Sequence, residues 1–109
     1  MTEYSFDDVK ERLEKYVLVG DSKEIAKGFI RGDIRRIFFS QLLEKKMLRC
    51  HEAFKFFVSR TQAIPMVEQL KYNGYIIELG LHFMLNPEWV ESMPILNGFP
   101  VFKKVGEDE

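Results

Sequence analysis

Apolar residues recur at helical spacing over the first two thirds of the chain and at strand spacing after it. Phe6, Val9, Leu13, Tyr16 and Val17 fall at i, i+3, i+7, i+10 and i+11, which lines one helix face. Ser5 stands ready to cap that helix, Asp8 sits at capping-box spacing, Tyr4 and Val9 make a hydrophobic staple, and Gly20 supplies the stop. A second helix is expected from Asp21 or Ser22, with Ile25, Phe29 and Ile30 as its stripe. Gly28 and Gly32 each cost about 1 kcal/mol relative to Ala in a helix interior. A break or kink is therefore expected near Gly32, with Asp33 capping a new helix from Ile34 to Leu48. That helix carries one row of Ile34, Ile37, Phe38 and Leu42 and another of Phe39, Leu43 and Met47. Two rows imply burial on two sides, or one side committed to a partner. Cys50 to Arg60 is apolar nearly all round, which predicts a central or interface helix, and residues 64 to 72 predict a short helix ended by Asn73-Gly74.

The period then changes. Tyr75, Ile77, Leu79, Leu81, Phe83 and Leu85 alternate with Glu78, Gly80 and His82, as a strand with one buried face would. Asn86-Pro87-Glu88 reads as cap, first helical position and acidic first turn of another short helix. Ile95-Leu96, Asn97-Gly98 and Phe99 to Val105 read as a hairpin, with Pro100 confining its last strand to an edge or bulge. About five N-terminal helices followed by a small antiparallel sheet make the expected fold α+β, in one domain over residues 1–105. Residues 106–109 have nothing to bury and are expected to be disordered. An all-α bundle is the alternative, because 75–85 is long enough for three buried helical turns.

Length and composition narrow the class. A chain of 109 residues and 12.9 kDa, 46% hydrophobic, buries roughly two thirds of its unfolded surface without staples. One cysteine, Cys50, excludes an internal disulfide and a multi-thiolate zinc site and suits a reducing compartment. No stretch approaches the ~18 to 20 apolar residues of a membrane span, and Met1 to Ser5 lacks the basic-then-apolar order of a signal peptide. The cytoplasm, its own or a host cell's, is the expected location.

The formal net charge of −1 conceals a division. Residues 1–22 carry −3, residues 23–60 carry +6 and residues 61–109 carry −4. Such a basic middle attracts nucleic acid or an acidic protein surface, unless the flanks fold back and neutralise it.

Catalytic and metal chemistry find little support. Cys50 and His51 are neighbours, but adjacent helical residues point about 100° apart, poorly placed for a thiol and its base. Lys46 and Arg49 would lower the thiol's pKa, yet a buried small residue explains Cys50 more simply. Glu78 and His82 would lie about 13 Å apart along one strand and lack a third group. No metal-ligand spacing and no phosphate-loop signature is present; Gly28 and Gly32 form only a Gly-x-x-x-Gly pair, which permits close packing or marks a kink. Arg31-Gly32-Asp33 matches an adhesion tripeptide too short to carry weight.

Three readings follow. The first is a non-enzymatic regulator or inhibitor, a viral or phage accessory protein being one setting, that binds a protein partner or another copy of itself. Its interface would hold Phe39, Leu43, Met47, Phe54 and Phe57, rimmed by Lys27, Arg31, Arg35, Arg36, Lys45, Lys46 and Arg49, without cofactor, metal or membrane. The competing explanation for ten Phe, four Tyr and one Trp is a Phe-rich core. The second reading is a nucleic-acid binder using those same basic side chains. Helices followed by a hairpin are similar in order to a winged helix, although residues 64 to 72, directly before the strand, carry only Lys71 as a base. The third is a small enzyme of unassigned reaction using Cys50, His51, Glu78 or His82.

Overall fold

A computed structural model describes residues 4–57 and 59–106. The elements run α1 (Phe6–Glu14), β1 (Tyr16–Leu18), α2 (Ser22–Phe29), α3 (Asp33–Lys45), β2 (Met47–Arg49) and α4 (Cys50–Ala53). A 3₁₀ turn (Phe54–Phe56) leads to α5 (Arg60–Tyr72), β3 (Ile76–Leu79), β4 (His82–Leu85), α6 (Pro87–Glu91), β5 (Ile95–Leu96), β6 (Phe99–Pro100) and β7 (Phe102–Lys104). The fold is α+β.

Helix starts follow their capping residues. Ser5 Oγ accepts from the Asp8 N–H, Asp21 Oδ1 from that of Lys23, Ser59 Oγ from that of Gln62, and Asn86 Oδ1 from that of Glu88. The break at Gly32 is real: with φ of 93° it turns α2 into α3, which begins at Asp33 rather than Ile34. α3 stops at Lys45, earlier than the Leu48 expected, because Lys46 takes a left-handed conformation (φ 72°) and releases Met47–Arg49 into a strand.

Three short antiparallel sheets result. In the largest, β4 lies between β2 and β3, with Leu48 opposite Phe83 and Ile77 opposite Met84. The long strand expected over 75–85 is therefore two strands, folded at Gly80-Leu81, and a helix there is ruled out. β1 pairs with β7 (Val17 opposite Lys103), and β5 pairs with β6 across Asn97-Gly98, both at positive φ as the hairpin reading requires. The tail reading on 107–109 lies outside the described residues.

The core forms around α3, buried on two sides: Phe38, Phe39, Leu42 and Leu43 are at most 1% exposed. On one side Phe38 meets Phe56, Phe57 and Phe83 at ring-centroid distances of 5.6–6.5 Å. On the other, Phe39 packs with Tyr75 and Trp89, and Trp89 also meets Phe29 and Phe102. The aromatic surplus thus fills a two-lobed core. Among the described residues no helix is long and apolar enough to cross a membrane.

Candidate functional site

The structure redistributes the residues expected at an interface. Phe39 (0% exposed), Leu43 (1%) and Phe57 (7%) are core side chains, while Met47 and Phe54 are half-buried against it. The expected aromatic interface is therefore corrected: its helical rows point inward because β4 covers one side of α3 and Trp89 the other. Sequence spacing registers two apolar rows but not what covers the second.

The basic residues separate into three groups. Lys23, Lys27, Arg31, Lys45, Arg49 and Lys55 are exposed. Arg36 and Lys46 are structural: the Arg36 Nε–H donates to the Ile30 carbonyl at 2.7 Å and its guanidinium pairs with Asp33 at 3.6 Å, closing the α2–α3 turn. Lys46 lies half-buried, and its burial lowers the ammonium pKa against a smaller opposing pull from Glu14. Arg35 belongs to neither group. It is half-buried, and its Nε has no solvent contact and no hydrogen-bond partner.

Arg31 and Arg35 share a cleft of about 230 Å³ between the α2–α3 turn and α5, where Gln69 and Asn73 supply the opposite wall. Arg31 and Arg35 also border a second, shallower hollow together with Gly32, Asp33, Ile34 and Met66. Arg31 with Arg35, and Gln69 with Asn73, are each pairs at i, i+4, a spacing visible in the sequence; nothing local indicates that the two pairs face each other. Farther along α3, a broader groove places Lys23, Lys27 and Arg36 beside Glu24 and Asp33, so its charges are mixed.

Among the described residues no ion pair joins the acidic flanks to the basic middle, although Glu14 acts on the Lys46 ammonium and α5 and β4 pack against that segment. Arg12 binds Glu91 through two hydrogen bonds of 2.5 and 2.8 Å, joining α1 to α6, and Tyr4 donates to Glu88 beside them. Lys71 pairs with Glu68 and Glu78, and Arg36 with Asp33 within the middle. The flanks close on each other instead, through α1 against α6 and β1 against β7.

The groups considered for catalysis are dispersed. The half-buried Cys50 has its N–H on the Leu81 carbonyl at 2.8 Å, and His51 is exposed. Glu78 is held by Lys71, whereas His82, on the facing strand, packs against the Phe6 ring at 4.7 Å. Among the described residues no three His, Cys, Asp or Glu side chains gather as a metal site would require. No protein-family model, curated protein or solved structure matches the chain.

Proposed function

We propose that the protein binds double-stranded DNA through its basic middle, with α5 set against the groove. One observation carries this reading: the acidic flanks pair with each other, and Lys23, Lys27, Lys45, Arg49 and Lys55 stay in solvent. Connectivity supports it. From α3 the chain runs helix, strand, short helix, helix and hairpin, with the first strand pairing to the last and the middle strand at the opposite edge. That order and pairing resemble a winged helix, in which the helix before the hairpin meets nucleic acid. In this reading α4 with its 3₁₀ turn would stand where the first helix of a helix-turn-helix stands and α5 where the second does; the β3–β4 turn meets the start of α4 through the Cys50 N–H on the Leu81 carbonyl. α5 starts at Arg60, not near Ile64. Thr61 is exposed on it and offers a hydroxyl to base edges.

Fluorescence anisotropy with labelled duplex and single-stranded oligonucleotides tests this. Duplex binding is expected at low salt and should weaken steeply as salt rises, by a log–log slope of about −0.9 per phosphate contacted. Lys27→Gln, Arg49→Gln and Lys55→Gln should each shrink that slope by about one contact. Absence of binding to either form at low salt overturns the reading.

A second reading, association with a protein partner or another copy of the chain, is supported by exposed apolar side chains on the β5–β6 hairpin. Ile95 is 63% and Phe99 73% exposed. If it holds, Phe99→Ser abolishes concentration-dependent growth in scattering mass; a wild-type protein that stays monomeric and retains no partner ends it.

A further inference from the structure

We infer that the cleft between the α2–α3 turn and α5 is a binding site for a small organic anion, a phosphate or carboxylate carried on an apolar body. Arg31 and Arg35 both line it, no acidic side chain does, and among the described residues neither guanidinium has a carboxylate within ion-pair distance. Their neighbour Arg36 shows the contrast, since a carbonyl and Asp33 satisfy it internally. The Arg35 Nε–H is sealed from solvent without an acceptor, and buried donors left in that state are rare because water compensates them in the unfolded chain. With Nε held in the interior, an anion in the cleft would accept from the terminal N–H groups of Arg35 and from exposed Arg31, and a planar carboxylate or a phosphate suits those groups.

The remaining walls define the rest of the ligand. Gln69 and Asn73 on α5 bring amide groups that donate and accept, while Phe29, Ile30 and Leu70 form apolar walls. About 230 Å³ suits a fragment with one small ring or short chain, below the range of drug-sized pockets. A duplex backbone has no apolar body to place against Phe29, Ile30 and Leu70, so the site stands apart from the DNA reading.

Phenyl phosphate, benzoate and inorganic phosphate serve as probes, read by the side-chain amide NMR signals of Gln69 and Asn73. Fluorescence of Trp89, whose ring lies 5.5 Å from that of Phe29, gives a second readout. Phenyl phosphate should shift those amides saturably and bind about tenfold tighter than inorganic phosphate, its ring being buried. Arg35→Gln and Arg31→Gln should each weaken it about tenfold or more, with Lys10→Gln, at an exposed position on α1, unchanged. Should Arg35→Gln fail to fold, Arg31→Gln and Gln69→Ala, at exposed positions, carry the comparison. The proposal is overturned if no probe shifts the amides saturably, or if Arg31→Gln and Gln69→Ala leave the affinity unchanged. Loss of duplex binding in Arg31→Gln without any phenyl phosphate binding assigns the arginine to the DNA surface and also overturns it. Phenyl phosphate binding by a protein that binds no DNA sinks the DNA reading alone.

Discussion

At Gly28 a neighbouring side chain occupies the space that a Cβ would take. A Cβ built there would lie 2.5 and 2.6 Å from the two Leu96 methyl carbons, so an added methyl would have to displace the Leu96 side chain. Helix propensity alone predicts that Gly28→Ala gains about 1 kcal/mol. We expect the reverse, a loss of about 1 kcal/mol or more from overpacking. In a Leu96→Ala background the substitution should regain its stabilising sign, and urea titrations of the four proteins measure the coupling. The Arg12–Glu91 pair makes a prediction in pH. Hydrogen bonding to Arg12, then its charge, hold the Glu91 carboxyl below its ordinary value against some opposing burial. A depressed carboxylate stabilises the fold above its unfolded pKa of about 4.3, and that contribution disappears as pH falls through the folded value. Both side chains are 34% exposed, so the contribution stays under about 1 kcal/mol. Glu91→Gln, a mimic of the protonated acid, should lie below wild type by a constant margin from neutral pH to about 5 and converge with it in stronger acid. A margin that persists in strong acid contradicts this origin.

At the scale of elements, α5 carries the clearest internal conflict. Pro65 is its sixth residue, where the missing N–H leaves the Thr61 carbonyl without its helical donor. Pro65 is also exposed, so no packing offsets the loss. Pro65→Ala should raise stability in urea titrations by about 1–2 kcal/mol, net of the extra freedom it gives the unfolded chain, with the m-value unchanged. A drop in stability would mean that the proline holds α5 in its docked shape. The same helix marks where sequence reading stops. α2 and α6, each with a cap and a stripe, were legible because both signals are local; for α1 the cap and the start were, but its expected stripe through Tyr16 and Val17 to Gly20 was not, since the helix ends at Glu14 and Tyr16–Leu18 pairs with β7 as a strand. The sequence places the start of this helix at residue 64, yet Ser59 caps it five residues earlier. Cys50 to Arg60 looked like one helix because it is apolar all round; Phe57 is extended there, and a run without polar positions has no period to show the break. β1, β2 and β7 have three residues each, too few for an alternation, and only distant partners make them strands. The Arg31–Arg35 cleft was illegible for the same reason, since its second wall comes from α5.

Across the whole molecule, the charge division of the sequence survives as a division in space. The flanks satisfy one another through Arg12–Glu91 and the β1–β7 pair, and the +6 segment keeps its field in solvent. A net charge near zero would suggest indifference to polyanions; the fold makes that average misleading. The arginines of the middle also differ in what they do. Arg36 closes a turn, Arg49 faces solvent, and Arg31 and Arg35 border a cleft.

The β1–β7 pair has a consequence for synthesis. Tyr16 finds its partner only at Lys104, so β1 stays unpaired until nearly all of the sequence up to that lysine has left the ribosome. The helix-strand-hairpin unit of residues 33–85 meets no such delay, since β2, β3 and β4 all emerge earlier. On a translating ribosome, which releases chains N-terminus first, the basic half would order before the acidic clasp closes. A nascent chain would therefore expose its basic half before its first strand has anything to hold.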